Sequence, residues 1–247
     1  DGEVLIQTKS LVMSPPLRMA IGTGGITGNR VKIGDMMRGS GQGVVVKSHH
    51  PDFSEGDLVA GPLGWQEYVV TDGRRPVPLE RISSKAGQPI TANLHVMGAS
   101  GATAYVGLYD IAKPKVGDVI LVSAAAGSVG SLVCQMAKLS GCIVIGIAGN
   151  EKKCEWLKSG LGLHDAINYK SENVAERLRE VCPNGIDIYF DNVGGEILDI
   201  ALGQITQGAR IVLCGATSQY EGDANWRGPS NYFNLVYKDA SMEGFYI

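Results

Sequence analysis

Residues 121–138 read LVSAAAGSVGSLVCQMAK, and this stretch decides the fold class. An apolar run leads into a turn with Gly127 and Gly130, and an amphipathic helical pattern follows. A dinucleotide-binding βαβ unit begins in this way, because glycines in the turn let the backbone approach a pyrophosphate and let the helix pack closely on the strand. Ala124 stands where the first glycine of that motif would be, so an ordinary strand-to-helix turn is the alternative for this segment alone.

The segment after this helix indicates which dinucleotide the protein binds. The predicted strand at residues 142–149 ends on glycine, where an NAD-selective enzyme carries an Asp or Glu for the ribose 2′-hydroxyl. Lys152 and Lys153 follow and favour a 2′-phosphate, so the sequence predicts NADP(H) as the cofactor. Glu151 argues the other way, but an acidic residue in a first helical turn also interacts favourably with the helix dipole. A solvated helix face is the alternative explanation of the two lysines.

Composition and charge restrict the class of protein. The 247 residues suffice for two domains, and 34 glycines suit an α/β enzyme with many tight turns. The formal net charge of −3 provides no basic surface for nucleic acid or an anionic membrane. No stretch reaches the length of a transmembrane helix, and no signal peptide opens the chain. We therefore expect neither a nucleic-acid partner nor a membrane partner.

The cysteines indicate a reducing compartment. They are odd in number, lie in apolar segments and include no C-x-x-C pair: Cys134, Cys142, Cys154, Cys182 and Cys214. This spacing argues against a disulfide framework and against a thiolate zinc site. We expect reduced core cysteines and a cytoplasmic location.

The pattern of apolar residues changes along the chain. Residues 3–70 contain short β-prone runs separated by glycine and proline, which predicts a β-rich domain. From residue 103 to a last apolar strand at 242–247, helical and strand patterns alternate, which predicts a parallel sheet with flanking helices. We place one domain at residues 1–95 and a second at residues 96–247. Because the chain starts and stops within these patterns, we expect that both natural ends are missing.

The individual elements follow from the same patterns. Helices are predicted at residues 103–111, 128–139, 151–158, 174–181 and 196–205. Strands are predicted at residues 119–123, 143–147, 165–168, 186–195, 209–214 and 242–247, the strand at 186–195 ending in a turn. HHPDFSEGD at residues 49–57 is expected to be a polar turn with exposed histidines.

Several segments together resemble one known family: SGATAYVGL (100–108), LGWQEY (63–68), AAAGSVG (124–130), YFDNVGG (189–195) and CGATSQY (214–220). They are similar to the zinc-independent branch of the medium-chain dehydrogenase/reductase superfamily, the leukotriene B4 dehydrogenase, prostaglandin reductase and alkenal double-bond reductase family. The resemblance covers nearly the whole chain. It implies an α/β fold in which a GroES-like β-barrel domain precedes a Rossmann domain with a doubly wound parallel sheet, and an active site between the two domains.

The resemblance also implies which residues bind NADP(H). The pyrophosphate would be lined by Gly127, Ser128, Val129 and Gly130. Lys153 would contact the 2′-phosphate, Tyr169 would pack near the ribose phosphate, and Asn192 would reach the cofactor. The nicotinamide riboside would be followed by Cys214, Gly215, Ala216, Thr217, Ser218, Gln219 and Tyr220, and covered from the next strand by Phe245, Tyr246 and Ile247. Simple packing is the alternative for Tyr169, and a core position is the alternative for Phe245.

The chain departs from this family in its first domain. Where the family has an Asp-Pro-Tyr-Met-Arg segment, residues 13–20 read MSPPLRMA, with Ser14 and Pro16 at the Asp and Tyr places. A tyrosine of the family's substrate pocket is therefore absent. Arg18 remains, and both a structural contact between domains and a contact with substrate are open for it.

The ligands of a catalytic zinc are also missing. Zinc alcohol dehydrogenases of the superfamily use a Cys, a Gly-His-Glu segment and a second Cys or Asp, since soft or borderline ligands must converge on the metal. Here the corresponding stretch offers Gly39, Ser40 and Gly41, and the first domain contains no cysteine. The sequence therefore predicts no metal site.

Reduction of a carbon–carbon double bond conjugated to a carbonyl suits these residues. The carbonyl accepts the charge when a hydride reaches the β-carbon, so hydrogen-bond donors are enough to stabilise the enolate. Tyr220 is the candidate catalytic residue, because a phenol with a pKa of about 10 is protonated at neutral pH and can supply the proton of the α-carbon, directly or through the cofactor ribose hydroxyl. Its alternative role is to position the nicotinamide ribose.

The predicted function is NADPH-dependent, zinc-independent reduction of α,β-unsaturated aldehydes or ketones by a homodimer, with a small enone or enal as the molecule it acts on. Two alternatives remain open at this point. One is an NADPH quinone reductase of a related zinc-free branch, and the other is a non-catalytic NADPH-binding protein similar to the lens crystallins that share this fold.

Overall fold

The computed structural model describes residues 2–22, 30–74, 77–83, 88–220 and 228–247. The chain divides into two units, Asp1–Gly98 and Ala99–Ile247. Each unit has its own sheet, and the strands run antiparallel in the first sheet and parallel in the second.

The first unit contains a five-stranded sheet in the order β4-β1-β2-β3-β5. The strands are β1 (Val4–Leu11), β2 (Gly41–Ser48), β3 (Leu58–Gly61), β4 (Tyr68–Thr71) and β5 (Glu80–Arg81). Alternate residues along these strands point to one face and form its apolar core, which includes Val4, Ile6, Val45, Val59 and Leu63.

The second unit contains a six-stranded parallel sheet in the order β11-β10-β9-β6-β7-β8. Its strands are β6 (Val119–Val122), β7 (Ile143–Ala148), β8 (Asp165–Asn168), β9 (Ile186–Asp191), β10 (Ile205–Leu213) and β11 (Ser241–Gly244). The first of them in sequence lies in the middle and the chain winds outward from it in both directions, which is the strand order of the Rossmann fold. The predicted fold class is confirmed.

Helices connect these strands, and apolar side chains fill both faces of the sheet. The helices of this unit are α2 (Ala99–Tyr105), α3 (Ser128–Leu139), α4 (Glu151–Glu155), α5 (Val174–Val181), α6 (Gly195–Leu202) and α7 (Asn234–Tyr237). Along β6, Ile120 and Val122 join one buried cluster with α3, whereas Leu121 joins the other cluster with α5 and α6. Burial on both faces explains why these strands read as continuous apolar runs in the sequence.

Two predicted helices are α-helical only at their beginnings. A π-helical turn, Val106–Ala112, follows α2, and a second one, Trp156–Gly160, follows α4. In the first of these turns Gly107 passes close to an aromatic ring, because a Cβ at this position would lie 2.6 Å from Cε2 of Phe190. Such a local widening depends on a contact with a distant strand, which the 3.6-residue periodicity does not contain.

Three further features differ from the sequence predictions. The prediction of helix up to residue 205 was wrong, since β10 begins at Ile205 and continues through a register shift that ends at Arg210. Gly208 lies within this irregular stretch with φ of +70°. The strand β5 and the short helix α1 (Pro15–Ile21) were not predicted.

Helix α1 has a clear local cause. Ser14 precedes it in extended conformation, and prolines occupy its first two positions. Proline is favourable there because its fixed φ suits a helix and its missing N–H would have no helical acceptor. The segment that departs from the family pattern is therefore a helix start, and it carries Arg18 at an exposed position.

The histidines of the polar turn are divided between two environments. His49 is exposed as predicted, whereas His50 is buried. Nδ1 of His50 accepts a hydrogen bond from the backbone N–H of Asp52 at 3.0 Å, and its ring packs on Phe53 with the centroids 5.1 Å apart. His50 thus holds the turn between β2 and β3, and the expectation of exposure was wrong for this residue.

Candidate functional site

The turn between β6 and α3 has the geometry that the dinucleotide motif requires. A Cβ at Gly130 would lie 2.4 Å from the carbonyl oxygen of Ala124, so only glycine allows the helix to pack this closely on the turn. Gly127 precedes α3 and is exposed together with Ser128. The amino end of α3 is therefore accessible, and its first N–H groups have no acceptor within the helix, which is the arrangement that binds phosphate groups.

The G-x-G-x-x-G spacing that ends on Gly127 and Gly130 places the first glycine of the motif at Ala125, one residue after the expected position 124. Ala124 nevertheless has a backbone conformation that favours glycine. Its φ is +47°, in the left-handed region that costs an L-residue energy. The neighbouring residue Ala125 anchors the turn, because its N–H donates to the carbonyl of Ile147 on β7 at 2.9 Å. The turn therefore carries backbone strain at Ala124.

The hydroxyl group of Ser100 lies beside this turn. Oγ of Ser100, on α2, is 2.8 Å from Oγ of Ser128, the first residue of α3. Ser100 was not among the predicted site residues, although it opens the SGATAYVGL segment that supports the family resemblance. The two serines are 28 positions apart in sequence, so their pairing had no local signal.

The end of β7 and the start of α4 form the region predicted for the 2′-phosphate. Tyr169 follows β8 and lies against Gly149, where a Cβ would be 2.9 Å from Cε1 of the tyrosine ring. An Asp or Glu at residue 149 would therefore need the space that Tyr169 occupies. Oδ1 of Asn150 accepts from the backbone N–H of Lys153 at 2.9 Å and so caps α4, with the Lys153 side chain exposed on its first turn.

A buried hydrogen-bonded cluster lies at the carboxyl ends of β6 and β9. Asp191 is fully buried, and its Oδ1 accepts hydrogen bonds from Oγ of Ser123 at 3.0 Å and from the hydroxyl of Tyr189 at 2.7 Å. The N–H groups of Val193 and Gly194 each donate to Oδ1 at 2.9 Å. Burial, followed by the charge of Asp191, raises the pKa of Tyr189 far above its ordinary value, so Tyr189 stays protonated and donates to the carboxylate.

Asn192 belongs to this cluster through its side chain. Its Nδ2 donates to the carbonyl oxygen of Ser123 at 2.8 Å, and its backbone N–H donates to Oγ of Ser123 at the same distance. The side chain therefore ties β9 to β6, a role that the sequence did not suggest. Contact of Asn192 with a cofactor remains a prediction.

The two glycine-containing segments after β9 and β10 pack on one another. Gly194 and Gly195 have φ of +68° and +59°, and a Cβ at Gly195 would be 2.9 Å from Oγ of Ser218. The N–H of Thr217 donates to the carbonyl of Asn192 at 3.2 Å. The predicted residues 214–220 thus lie directly beside the YFDNVGG segment, at the carboxyl ends of adjacent strands.

Tyr220 folds back on its own segment. Its hydroxyl oxygen accepts a hydrogen bond from the backbone N–H of Ala216 at 3.2 Å. A Cβ at Gly215 would lie 3.2 Å from the same oxygen, so glycine leaves room for the hydroxyl. The side chain is half-buried, and the hydroxyl proton is not used in the bond to Ala216. Tyr220 can therefore act as a donor while its oxygen is held in place.

The remaining predicted residues differ in exposure. Phe245 is half-buried and packs against the first π-helical turn, where a Cβ at Gly107 would be 2.8 Å from its Cζ. This packing agrees with the core alternative for Phe245. Tyr246 and Ile247 are exposed. Burial and then the charge of Asp191 raise the pKa of Cys214 to about 12, so this cysteine remains a thiol at neutral pH.

The structure brings four of the predicted clusters to one edge of the sheet. The turn at 124–130, Tyr169 with Lys153, the segment at 189–195 and the segment at 214–220 all follow the carboxyl ends of parallel strands. In open α/β sheets this edge is where a dinucleotide binds. The close packing at Gly130 and the exposed amino end of α3 at Gly127 and Ser128 fit such a cofactor.

The described part of the chain holds neither a metal-binding cluster nor a membrane-spanning helix. Among these residues, no group of three or more His, Cys, Asp or Glu side chains is placed to hold a metal ion. No helix within the described ranges combines the length and the apolar character needed to cross a bilayer.

Comparison with known proteins identifies relatives over the whole chain. The family model described as the N-terminal domain of oxidoreductase matches residues 1–79, and the model described as zinc-binding dehydrogenase matches residues 128–247. Prostaglandin reductase 1 of Bos taurus is 39% identical over 251 residues, covering 100% of this chain and 73% of that protein. The NADP(+)-dependent 2-alkenal reductase of Nicotiana tabacum is 41% identical over 215 residues, covering 87% of this chain and 62% of that protein.

A solved structure has the same fold. The crystal structure of CurA from Vibrio vulnificus in complex with NADPH matches with a TM-score of 0.90 and 40% sequence identity, covering 100% of this chain and 73% of that one. The chain therefore belongs to the alkenal and prostaglandin reductase branch of the medium-chain dehydrogenase/reductase family.

Proposed function

We propose that this protein is an NADPH-dependent oxidoreductase that reduces the carbon–carbon double bond of α,β-unsaturated aldehydes or ketones. The observation that carries this proposal is the arrangement at the carboxyl edge of the parallel sheet, where the glycine turn at Gly130, the Gly149–Tyr169 contact and Tyr220 all follow strands of that sheet. Its relatives support the same conclusion, because they are named as a prostaglandin reductase and an NADP(+)-dependent 2-alkenal reductase.

The cofactor residues divide by the part of NADPH that each would hold. The amino end of α3, with Gly127, Ser128, Val129 and Gly130, would bind the pyrophosphate through backbone N–H groups. Lys153 and Tyr169 would bind the 2′-phosphate, and the packing of Tyr169 on Gly149 supports this choice, since it occupies the place of a ribose-binding carboxylate. The residues 214–220, with 245–247 directly after β11, would follow the nicotinamide riboside.

The reaction needs a hydride at the β-carbon and a proton at the α-carbon. Bound NADPH supplies the hydride. Tyr220 donates the proton, and its oxygen can accept from the Ala216 N–H while it does so, which stabilises the negative charge that develops on the phenol. The transferred pair of electrons forms the new C–H bond at the β-carbon, and the π electrons of the carbon–carbon double bond would shift into the carbonyl to give an enolate. The enolate would then take the proton of Tyr220 at its α-carbon, which gives the saturated aldehyde or ketone, and water would return a proton to the tyrosine.

Independence from zinc is part of the proposal. Although one matching family model is described as zinc-binding dehydrogenase, the segment at Gly39, Ser40 and Gly41 supplies none of the side chains that bind a catalytic zinc. All cysteines lie in the second unit, and burial raises their thiol pKa values. We expect full activity after treatment with a chelator.

We also propose a cytoplasmic homodimer with a substrate domain at residues 1–95 and an NADP-binding domain at residues 96–247. The edge strand β11 supports dimer formation, because within the described residues one side of it is unpaired. Val236 and Tyr237, just before this strand, expose 67% and 71% of their surface, as an interface would require. Light scattering at micromolar concentration should give the mass of a dimer, and the mass of a monomer would contradict this part.

The experiment that tests the function is NADPH oxidation with a panel of 2-alkenals, alkenones and quinones. We expect turnover with the first two classes, greater affinity for NADPH than for NADH, and an affinity for NADPH that falls about ten- to a hundredfold in Lys153→Ala through loss of a charge-assisted contact. Turnover of quinones alone would assign the protein to quinone reduction. Binding of NADPH without turnover of any compound would support the crystallin-like role.

A further inference from the structure

The turn between β8 and α5 presents Tyr169 to the Gly149 side of the sheet. The backbone N–H of Tyr169 donates to the carbonyl of Ala148 at 3.1 Å, which extends the pairing of β8 with β7 by one residue. Oδ1 of Asn168 accepts from the N–H of Lys170 at 3.2 Å, and the carbonyl of Asn168 accepts from the N–H of Glu172 at 2.9 Å. The position of Tyr169 is therefore set by how Asn168 is held.

Glu172 holds Asn168 from the open side of the strand. Strand β8 is at the edge of the sheet, so within the described ranges the N–H groups on its outer side have no neighbouring strand to pair with. Oε2 of Glu172 accepts the backbone N–H of Asn168 at 2.6 Å. The carboxylate thus closes the turn that carries Tyr169, although its own side chain belongs to no predicted site.

Arg177 fixes the other oxygen of that carboxylate. Nε of Arg177 donates to Oε1 of Glu172 at 2.8 Å, and an Nη group donates to Asp165 at 2.9 Å. The guanidinium also pairs with Glu180, and the side chain is only about a quarter exposed. Because Asp165 begins β8 and Glu172 lies beyond its end, Arg177 spans the length of the edge strand from helix α5. This bridging geometry requires the planar fork of arginine.

We propose that Glu172, oriented by Arg177, is a positioning residue that sets Tyr169 for the 2′-phosphate of NADPH. The inference rests on the proposed function, and on the assignment of Tyr169 and Lys153 to the 2′-phosphate in particular. It adds a pair of residues that do not touch the cofactor but decide how well the protein distinguishes NADPH from NADH.

Charge alone predicts the opposite of this proposal. A carboxylate near a phosphate repels it, so removal of the Glu172 charge should strengthen binding of NADPH if electrostatics decide the outcome. If Glu172 positions Tyr169, its removal weakens binding of NADPH despite the lost repulsion. NADH has no 2′-phosphate, so its affinity should change little in either case. The sign of the change in NADPH affinity therefore separates the two explanations.

The test is the dissociation constant of NADPH and of NADH, measured by fluorescence for the wild type, Glu172→Ala, Glu172→Gln and Glu180→Ala. We expect Glu172→Ala to raise the Kd for NADPH about tenfold and to change that for NADH less than about twofold. The amide oxygen of Glu172→Gln can still accept from the N–H of Asn168, so the Kd of this variant for NADPH should lie between those of the wild type and Glu172→Ala. Glu180→Ala, which removes a carboxylate from Arg177 without touching the turn, is the matched control and should bind both cofactors as the wild type does.

Three results would overturn the proposal. The first is unchanged or tighter NADPH binding by Glu172→Ala in a protein whose wild type prefers NADPH and whose Lys153→Ala variant loses that preference. The second is an equal loss for both cofactors, which would indicate a general structural role. The third is equal affinity of the wild type for both cofactors, which would overturn the cofactor assignment together with this inference.

Folding is controlled separately. The free energy of unfolding of each variant without cofactor is measured by urea denaturation. If Glu172→Ala does not fold, Arg177→Lys replaces it, because an ammonium keeps the charge but cannot bridge Glu172 and Asp165 with the same geometry. We expect Arg177→Lys to raise the Kd for NADPH several-fold and to leave the Kd for NADH unchanged. An unchanged Kd for NADPH would contradict the proposal.

Discussion

At the scale of single residues, Tyr220 has two functions to reconcile. Its oxygen accepts the Ala216 N–H, which positions the ring within the segment at 214–220. Its proton is not part of that bond and can be donated. These functions are compatible, because the oxygen accepts with a lone pair while the O–H remains able to donate.

The substitution Tyr220→Phe separates these functions. It keeps the ring and removes the proton, so turnover of an enone at saturating NADPH should fall at least about a hundredfold, the usual contribution of a general acid. The Kd for NADPH should stay within about threefold, since water can replace the hydroxyl at the Ala216 N–H. A fall in turnover of less than about threefold would make Tyr220 a positioning residue with solvent as the proton source.

At the same scale, sequence predicted some roles and missed others. Gly130 was assigned from its spacing, and the structure gives the physical reason, because a Cβ there would lie 2.4 Å from the carbonyl oxygen of Ala124. Asn192 was expected to reach the cofactor, yet its side chain donates to Ser123, which is 69 positions away. His50 was expected in solvent and is buried by Phe53. Such contacts join distant segments, so no local pattern contains them.

At the scale of elements, the turn from β6 to α3, which we propose binds the pyrophosphate, has backbone strain at Ala124. Ala124 has φ of +47° at a position that glycine would occupy without strain. The following residue is fixed by its bond to β7 and the helix is fixed by the contact at Gly130, so the turn cannot relax around the alanine. Strain of this kind persists where the surrounding structure determines the backbone.

We expect Ala124→Gly to stabilise the protein by about 0.5–1 kcal/mol, because relief of the left-handed strain exceeds the entropy cost of glycine. Ala126→Gly is the matched control in the same turn. Ala126 does not have a positive φ, so this substitution should destabilise the protein by a similar amount. Urea unfolding curves of both variants give the comparison, and destabilisation by Ala124→Gly would contradict the strain argument.

Element boundaries show where periodicity stops being informative. The helices at 128–139 and 174–181 and the strand at 165–168 were predicted with the bounds that the structure has, because each is flanked by clear glycine or asparagine signals. The π-helical turns and the irregular start of β10 were not predicted. In the first π-helical turn Gly107 packs against Phe190, and β10 shifts its register before Arg210. Both features depend on contacts with a distant strand.

At the scale of the whole molecule, the cysteines share one property that matters for an enzyme of electrophilic enones. Burial is the largest cause of a raised thiol pKa for each of them, to about 11 in Cys142 and Cys182 and to about 12 in Cys214. The thiolate, not the thiol, attacks an activated double bond. The fold thus keeps its own cysteines in the unreactive form at neutral pH.

The same pKa values predict a loss of stability in alkali. Because each folded-state pKa is raised above the ordinary value of 9.0, the contribution to stability is complete below pH 9 and is lost as the pH rises through about 11 to 12. Urea unfolding at intervals from pH 8 to about pH 11 should show a falling free energy of unfolding. The decline should be shallower in Cys214→Ala, and an identical decline would remove Cys214 as a contributor.

The central claim is that hydride reaches the β-carbon of a conjugated carbonyl compound. The most direct measurement is the reduction of an alkenone with NADPH carrying deuterium at the transferable position, with the product examined by mass spectrometry and NMR. We expect a saturated ketone with one deuterium on the β-carbon, which does not exchange with water. Deuterium on the carbonyl carbon of an allylic alcohol would contradict it.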